Sequence, residues 1–132
     1  MTIFSKIVRG EIPAHKIAET DEFFAFLDVN PLTEGHTLVI PKQEIDYVFD
    51  ISDEVLARMM IFAKQVAQAQ KQATHCARVG VAVIGLEVPH AHIHLVPMNS
   101  MNDMNFSNEK LQFSQEELAE TAKKIREKVV TG

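Results

Sequence analysis

The segment from His90 to Pro97 constrains the fold of this chain more than any other. Three histidines recur in it with a period of two, at His90, His92 and His94, and aliphatic residues fill the positions between them. Successive side chains of a strand point to opposite faces of the sheet. The pattern therefore predicts a strand whose imidazoles share one face while its aliphatic side chains enter the core. Neighbouring histidines would stand roughly 6.6 Å apart along such a strand.

Three uses of this histidine row compete. Histidines in a His-x-His arrangement can hold zinc together with a further ligand, for which the candidates are His36, Cys76 and Glu87. No Cys-x-x-Cys or His-Glu-x-x-His motif accompanies them. Alternatively, a neutral imidazole attacks phosphorus as a nucleophile while its neighbours bind the phosphate oxygens. In the third interpretation the histidines are merely exposed on a sheet face, which their strict spacing disfavours.

Length and charge limit the classes of function. The 132 residues contain no internal repeat or low-complexity linker, so we expect residues 1–132 to form one domain. A net charge of −5 argues against a nucleic-acid-binding surface. The single cysteine permits no internal disulfide, and no apolar run is long enough to span a bilayer. We therefore expect a cytoplasmic protein with neither a nucleic-acid nor a membrane partner.

The first half of the chain predicts a short helix and three strands. Apolar spacing favours a helix over 3–9 that ends at Gly10. Segments 15–20 and 22–29 are typical of strands joined by a tight turn, which predicts a hairpin. A third strand is expected over 36–40, immediately before Pro41.

The second half predicts two helices and two further strands. Ser52 is expected to cap a long helix that runs to Thr74, and residues 78–84 predict a strand before the histidine strand. Ser114 and Glu117 match a capping box for a C-terminal helix. The expected buried face of the long helix comprises Leu56, Met59, Met60, Ala63, Val66 and Ala67. The fold class is α+β, with an antiparallel sheet of about five strands, one long helix and a C-terminal helix.

The segment from Pro97 to Phe113 fits neither a strand nor a helix period. Its four asparagines favour a solvated loop, whereas its methionines and Phe106 favour a flap that lies on a surface, either of this chain or of another subunit. Both interpretations stay open from the sequence.

Three collinear blocks of sequence resemble the histidine triad (HIT) superfamily, in particular its Hint-like branch. The first is Ile3 to Ala14, the second joins Phe26–Pro31 to Gly35–Lys42, and the third is the histidine row itself. The resemblance covers about residues 3–98 and implies a HIT-like fold. Residues 99–132 would add a flap loop and the C-terminal helix.

The resemblance implies a nucleotide phosphohydrolase or nucleotidyl transferase that cleaves AMP-X, a purine nucleoside phosphoramidate, at its α-phosphate. His92 matches the nucleophile that forms a covalent nucleotidyl-histidine, and His94 matches the group that hydrogen-bonds the phosphate. His90 matches the neighbour whose backbone carbonyl fixes the tautomer of His92. His36 matches a fourth histidine from the adjacent strand.

The same resemblance assigns the nucleotide-binding residues. Asp28 matches the carboxylate that receives the ribose hydroxyls, although an Asp before Asn-Pro also commonly closes a turn. The apolar slot for the base is matched by Ile3, Phe4, Ile7, Phe26 and Val29. No cofactor and no metal are expected, because Phe4 and Ser5 stand where some relatives begin a zinc-binding Cys-x-x-Cys.

The chain departs from the family pattern just before the histidine row. Leu86 and Glu87 replace the amide and hydroxyl side chains that Hint-like proteins carry near the leaving group. We predict that Glu87 protonates or orients the leaving group, and the competing interpretation is a solvated turn residue. Two alternatives to the phosphoramidate activity remain: a dinucleoside polyphosphate hydrolase, and a nucleotide-binding regulatory module with weak activity.

The resemblance also implies a homodimer. Hint-like proteins pair through the long helix and the following strand, which corresponds to about residues 52–84 here. Met60, Phe62 and Val66 are expected to form an apolar seam on the helix. Val81 is expected to lie on a strand that pairs edge to edge with its copy.

Overall fold

A five-stranded antiparallel sheet organises the protein, which we describe from a computed structural model covering residues 1–130. The spatial order of the strands is β1-β2-β3-β5-β4, and every neighbouring pair is antiparallel. Their bounds are β1 Lys16–Glu19, β2 Phe23–Leu27, β3 Thr37–Pro41, β4 Arg78–Ala82 and β5 Ile93–Met98. With the helices, this is the expected α+β architecture. The last two residues of the expected domain, Thr131 and Gly132, lie outside the described residues.

Three helices accompany the sheet: α1 Ile3–Val8, α2 Asp53–Thr74 and α3 Gln115–Arg126. The predicted caps are confirmed, because the Ser52 side chain accepts a hydrogen bond from the Val55 amide, and Ser114 forms a capping box with Glu117. Such caps pair amide groups that the first turn of a helix cannot pair internally. The N-terminal helix ends at Val8, one residue before the expected end, and the C-terminal helix ends at Arg126.

The sheet is covered on both faces, which explains why β2 and β3 are buried along their whole length. On one face, α2 and α3 pack against the main core, which includes Phe23, Ala25 and Val39. On the other face, Phe4 of α1 packs against a smaller cluster that includes Phe24 and Phe26. Alternate residues of β2 therefore enter different cores, as a strand period of two requires. The hairpin of β1 and β2 is confirmed.

Two strand predictions need correction. Strand β5 begins at Ile93, so His90 and His92 precede the ladder, and β4 ends at Ala82 rather than at residue 84. The amide of Ala91 bonds to the carbonyl of Ile45 at 2.7 Å, outside the sheet, which draws this part of the chain away from β4. The ladder can begin only after this bond, where β5 pairs with β3 through Val39 and Ile93.

The buried face expected for α2 is confirmed at Val66 and wrong at Met60, and the expected surface seam is wrong at Phe62 and Val66. Met60 is half exposed and does not belong to the buried face, whereas Phe62 and Val66 are fully packed in the main core. Phe62 and Val66 therefore cannot form the surface seam that the sequence suggested. Met60 and Ile61 are the exposed apolar residues of this helix.

The segment after β5 folds back onto its own chain. It contains a short 3-10 helix over Met101–Met104, and the Leu111 amide bonds to the Pro31 carbonyl at 2.9 Å. The ring of Phe106 packs edge-on against His94, with 4.9 Å between the ring centroids. No residue from 99 to 113 is buried, yet Phe106 packs on His94, so the segment combines features of a solvated loop and of a flap on this chain's own surface. Within residues 1–130, none of the helices has the length and apolar character to cross a bilayer.

Candidate active site

The histidine row opens onto a cavity of about 400 Å³ on the α1 face of the sheet. His94 pairs in register with Leu38, and its ring centroid lies 5.0 Å from that of His92. The residues lining the cavity are Asp28, Asn30, His36, Ile84, Gly85, Leu86, Glu87, His92, His94, Phe106 and Lys110. His90 is absent from this lining, so the three histidines of the row do not have equivalent positions.

His92 is held in one tautomer by the backbone two residues before it. Its Nδ1 atom lies 2.7 Å from the carbonyl oxygen of His90. A carbonyl oxygen only accepts, so Nδ1 must carry a proton and donate. In the neutral ring, Nε2 is then left with a free lone pair. A buried, oriented imidazole with a free Nε2 is suited to nucleophilic attack.

His90 is a buried anchor and not a cavity residue. Its Nε2 atom donates to the Pro41 carbonyl at 2.7 Å, and its Nδ1 lies 2.8 Å from Oγ1 of Thr2. Burial lowers the pKa of His90, so the ring is neutral at pH 7 and the Thr2 hydroxyl donates to Nδ1. Because both ring nitrogens are bonded, the residue is fixed in place, and with it the carbonyl that faces His92.

A polar cluster under α1 supports this anchor, and nothing in the sequence pattern indicated it. Thr2 is the N-cap of α1 and accepts from the Ser5 amide at 3.0 Å. The carboxylate of Glu44 accepts from the Thr2 amide at 2.6 Å and from the Ser5 hydroxyl at 2.7 Å. These two bonds lower the pKa of Glu44. The cluster joins α1, the loop after β3 and His90.

His36 and His94 form a hydrogen-bonded pair. The amide of Leu32 donates to His36 Nδ1 at 3.0 Å, so the proton of neutral His36 must lie on Nε2. His36 Nε2 in turn lies 3.0 Å from His94 Nδ1 and donates to it. Burial, followed by neighbouring charges, lowers the pKa of His36 to about 3 and that of His94 to about 4. Both rings are neutral at pH 7, and His94 therefore keeps its proton on Nε2, available to a phosphate oxygen.

Among the described residues, one group has the composition and spacing of a metal site. It consists of Asp28, His36 and His94, whose ligand atoms lie within 4.8 Å of one another. A neutral histidine that binds a metal through Nε2 carries its proton on Nδ1 and usually donates it. Here the Leu32 amide donates to His36 Nδ1. A proton on Nδ1 would therefore place the N–H of the ring against the N–H of Leu32. The set therefore fits a metal ion poorly. Of the other two sequence candidates, Cys76 lines a separate cavity that residues of α2 and α3 share, and Glu87 is not part of this donor set.

Asp28 is one of two acids that line the cavity, together with Glu87. Its Oδ1 atom accepts from the Asn30 amide at 2.8 Å, and its Oδ2 lies 3.7 Å from His36 Nε2. Since His36 is neutral, this second contact is not an ion pair. Burial raises the pKa of Asp28, while the Asn30 bond and the charges of His92 and Lys110 lower it in part. The carboxylate both closes the turn and faces the cavity, so the two interpretations of this residue are compatible.

The residues expected to bind the base separate into two groups. Phe4, Ile7 and Phe26 belong to the smaller core cluster, and the rings of Phe4 and Phe26 are 5.6 Å apart. Phe4 also packs edge-on against His92 at 5.1 Å. Ile3 and Val29, by contrast, are 50% and 53% exposed and lie outside that cluster. Phe4 alone is in ring contact with His92, and none of the five residues lines the cavity itself.

Opposite walls of the cavity come from distant parts of the chain. Leu86 and Glu87 are exposed on the turn before the histidine row. Phe106 and Lys110 come from the segment after β5. Sequence reasoning noted Phe106 only as apolar and missed Lys110, because neither belongs to a periodic element. The only indication was the apolar content of a segment that otherwise resembled a loop.

Comparisons with known proteins agree with this fold. A family model described as HIT domain matches residues 9–101. An uncharacterised HIT-like protein of Borreliella burgdorferi is 34% identical over 93% of this chain and 94% of its own length. Adenosine 5'-monophosphoramidase HNT1 of Saccharomyces cerevisiae is 44% identical over 72% of this chain and 61% of its own length. The crystal structure of a Hit-like protein from Bartonella henselae superposes with a TM-score of 0.83, at 32% identity, over 97% of this chain and 96% of that one.

Proposed function

This chain belongs to the HIT domain family, and from that membership we propose that it is a nucleotide hydrolase or nucleotidyl transferase. Its substrate would be AMP-X, most simply an adenosine phosphoramidate, and its intermediate a covalent nucleotidyl-histidine on His92. The name of the yeast relative, an adenosine 5'-monophosphoramidase, supports this substrate class. The alignment spans 61% of that relative, so its activity is carried over here only as part of the proposal.

The observation that carries the proposal is the 2.7 Å bond between His92 Nδ1 and the His90 carbonyl. It leaves the Nε2 lone pair of a neutral His92 available in a cavity that His94 also lines. Attack of Nε2 on the α-phosphorus would break the bond to X and leave a proton on Nδ1. The His90 carbonyl stabilises that proton, since a hydrogen bond to the charged form favours it.

The remaining residues divide the chemistry in the proposed reaction. His94 donates from Nε2 to a phosphate oxygen, where negative charge develops during attack. Asp28 accepts from the ribose hydroxyls, and Phe4 and Phe26 contribute apolar surface for the base. The amine must gain a proton as it leaves. Glu87 is proposed to donate this proton or to orient the amine. Water then attacks the phosphorus of the intermediate, which releases AMP and restores His92.

Two asparagine variants test the proposal. In His92→Asn the side chain is a far weaker nucleophile, and we expect hydrolysis of an AMP-amine substrate to fall at least about 1,000-fold. His75→Asn is the matched control, because His75 is exposed at the end of α2, outside the cavity, and in a left-handed conformation that Asn tolerates. Mass spectrometry of the quenched wild-type reaction should show a nucleotidyl adduct on His92. Equal turnover of the two variants would contradict the proposal.

A nucleotide-binding module with weak activity is the second candidate, and the exposed Leu86 and Glu87 favour it. These residues supply an apolar group and a carboxylate where relatives supply an amide and a hydroxyl. Calorimetry with AMP distinguishes the two functions when it is run beside the turnover assay. Tight AMP binding without measurable hydrolysis of any AMP-amine would favour the module.

A second copy of this chain is the proposed partner. Strand β4 lies at the edge of the described sheet, and exposed apolar side chains surround it: Met60, Ile61, Val81, Val83 and Ile84. Pairing there would bury apolar surface and occupy the free edge of the strand. Light scattering should give two chain masses at micromolar concentration for the wild type, and one for Ile61→Glu. Lys123→Glu, on the exposed surface of α3 and away from β4, is the control, and a monomeric wild type would contradict the proposal.

A cytoplasmic location completes the proposal. Cys76, the single cysteine, is buried and unpaired, which suits a reducing compartment.

A further inference from the structure

Lys110 is the residue of the cavity that the family resemblance does not account for. It lies in the segment after β5, is half-buried, and lines the same cavity as Asp28, His92 and His94. Its charge also lowers the pKa of both Asp28 and His36, which indicates that the ammonium group lies close to them.

The ammonium group is held in position by its own loop. Lys110 Nζ donates to the Phe106 carbonyl at 2.6 Å and to the Asn108 carbonyl at 2.9 Å. An ammonium group has three N–H donors, so one remains for a ligand. The loop is fixed by the bond from the Leu111 amide to Pro31, and by the packing of Phe106 on His94. Because the ammonium group is already held in place, binding an anion costs the Lys110 side chain little further conformational entropy.

The charge balance of the cavity gives Lys110 its importance. His36 and His94 are neutral at pH 7, because burial lowers the pKa of each far below that value. Among the described residues that line the cavity, Asp28 and Glu87 are the acids and Lys110 is the one lysine or arginine. A phosphate that entered a cavity with only the two carboxylates would be repelled. Lys110 supplies the permanent positive charge that an anionic ligand requires.

We propose that Lys110 binds the phosphate group of the nucleotide through its remaining N–H. The inference rests on the proposed function, since it takes a nucleotide as the ligand of this cavity. Lys110 thereby recognises the phosphorylated form of a nucleoside and disfavours the free nucleoside. In the alternative role, Lys110 does not touch the phosphate. It acts only on Asp28, whose carboxylate it keeps ionised so that the carboxylate can accept from the ribose hydroxyls.

Binding of AMP and of adenosine separates these roles, because both ligands contain the ribose and only AMP carries the phosphate. We expect Lys110→Met to weaken AMP binding at least about 10-fold, the scale of one charge-assisted hydrogen bond, and adenosine binding less than about 3-fold. Lys110→Arg, which keeps the charge, should retain more AMP affinity than Lys110→Met. Lys64→Met, an exposed lysine on α2 across the sheet, is the matched control and should change neither affinity.

Each outcome has a definite meaning. An equal loss for AMP and adenosine, from local unfolding or from an effect on Asp28, would overturn the inference, as would unchanged affinities for both. Failure of the proposed function is recognised separately, because the wild-type protein would then bind neither ligand, or would bind AMP but form no nucleotidyl-His92 adduct when given an AMP-amine substrate.

Discussion

His36 Nε2 and His94 Nδ1 lie 3.0 Å apart, and the direction of this hydrogen bond follows from a third group. The Leu32 amide donates to His36 Nδ1, so His36 must donate from Nε2 and His94 must accept at Nδ1. His94 therefore carries its proton on Nε2, whereas the His90 carbonyl holds the proton of His92 on Nδ1. Two neighbouring histidines thus have opposite tautomers, one suited to donate and one suited to attack.

This arrangement predicts a specific NMR signature. Long-range proton–nitrogen correlation spectra of protein labelled at its histidine nitrogens should show His94 protonated on Nε2 and neutral His92 protonated on Nδ1. In His36→Phe the donor to His94 is lost, so His94 is expected to populate both tautomers and turnover to fall by about 10-fold. A single Nε2–H tautomer of His94 in that variant would show that His36 does not determine it.

The buried histidines predict that acid destabilises the fold. The pKa values of His36, about 3, and His94, about 4, lie below their ordinary value, so the unfolded chain takes up protons that the folded chain does not. This contribution to stability is complete above about pH 6.5 and is lost as the pH falls toward the folded values. The raised pKa of Asp28 acts in the opposite sense and offsets part of the loss.

Urea unfolding between about pH 5 and 7 measures the effect. Each histidine contributes up to about 1.4 kcal/mol per pH unit to the slope of the unfolding free energy. In His36→Phe the slope should therefore be shallower by up to that amount, while the exposed-site control His75→Asn keeps the wild-type slope. A stability independent of pH in this range would contradict the neutral state of the pair.

Thr2 is expected to position the catalytic histidine through His90. In Thr2→Val the side chain keeps its shape but leaves buried His90 Nδ1 without its donor and α1 without its N-cap, which together should cost about 1–3 kcal/mol of stability. The His90 carbonyl then loses part of its support, so kcat should fall several-fold with little change in KM. Thr2→Ser restores the hydroxyl and should recover kcat. A loss of kcat in Thr2→Ser as large as in Thr2→Val would contradict this positioning role, because serine keeps the hydroxyl.

Gly35 predicts a stability effect at the turn before β3. Its φ of +91° disfavours any other residue, and an added Cβ would lie 3.0 Å from the Thr74 side chain and 3.3 Å from Pro97. Gly10 has a φ of +78°, and a Cβ added there would meet nothing within 4 Å, so Gly10→Ala measures the backbone cost alone. We expect about 1 kcal/mol for Gly10→Ala and about 2–4 kcal/mol for Gly35→Ala by urea unfolding. Equal losses would show that the turn relaxes around the new side chain.

Glu87 is predicted to assist the leaving group. Glu87→Gln keeps the size of the side chain and removes the acid, so hydrolysis of an AMP-amine with a poor leaving group should slow by about 10-fold or more. An AMP ester with a good leaving group needs no protonation and should be cleaved at nearly the wild-type rate. If turnover of the amine substrate and its pH profile were unchanged, Glu87 would be only a turn residue.

Much of the fold could be predicted because its determinants are local in sequence. Caps such as Ser52 and Ser114 and the alternation around His94 act over three or four residues, so helices, strands and the five-stranded sheet follow from them. The beginning of the histidine strand could not be predicted in the same way. Its first two histidines leave the ladder because Ala91 bonds to Ile45, a contact between residues far apart in the chain.

The sequence by itself determined which residue types are present for the chemistry: a period-two row of imidazoles, a carboxylate at Asp28 and a glutamate at Glu87. Only the tertiary structure decided their protonation and surroundings. The tautomer of His94 depends on which groups face its ring nitrogens, and the hydrogen-bond chain that orients it begins at Leu32, in a distant part of the sequence. Lys110 likewise enters the cavity only because its loop folds back onto Pro31. Hydrogen bonds and charges act through space, so no local pattern in the sequence can specify them.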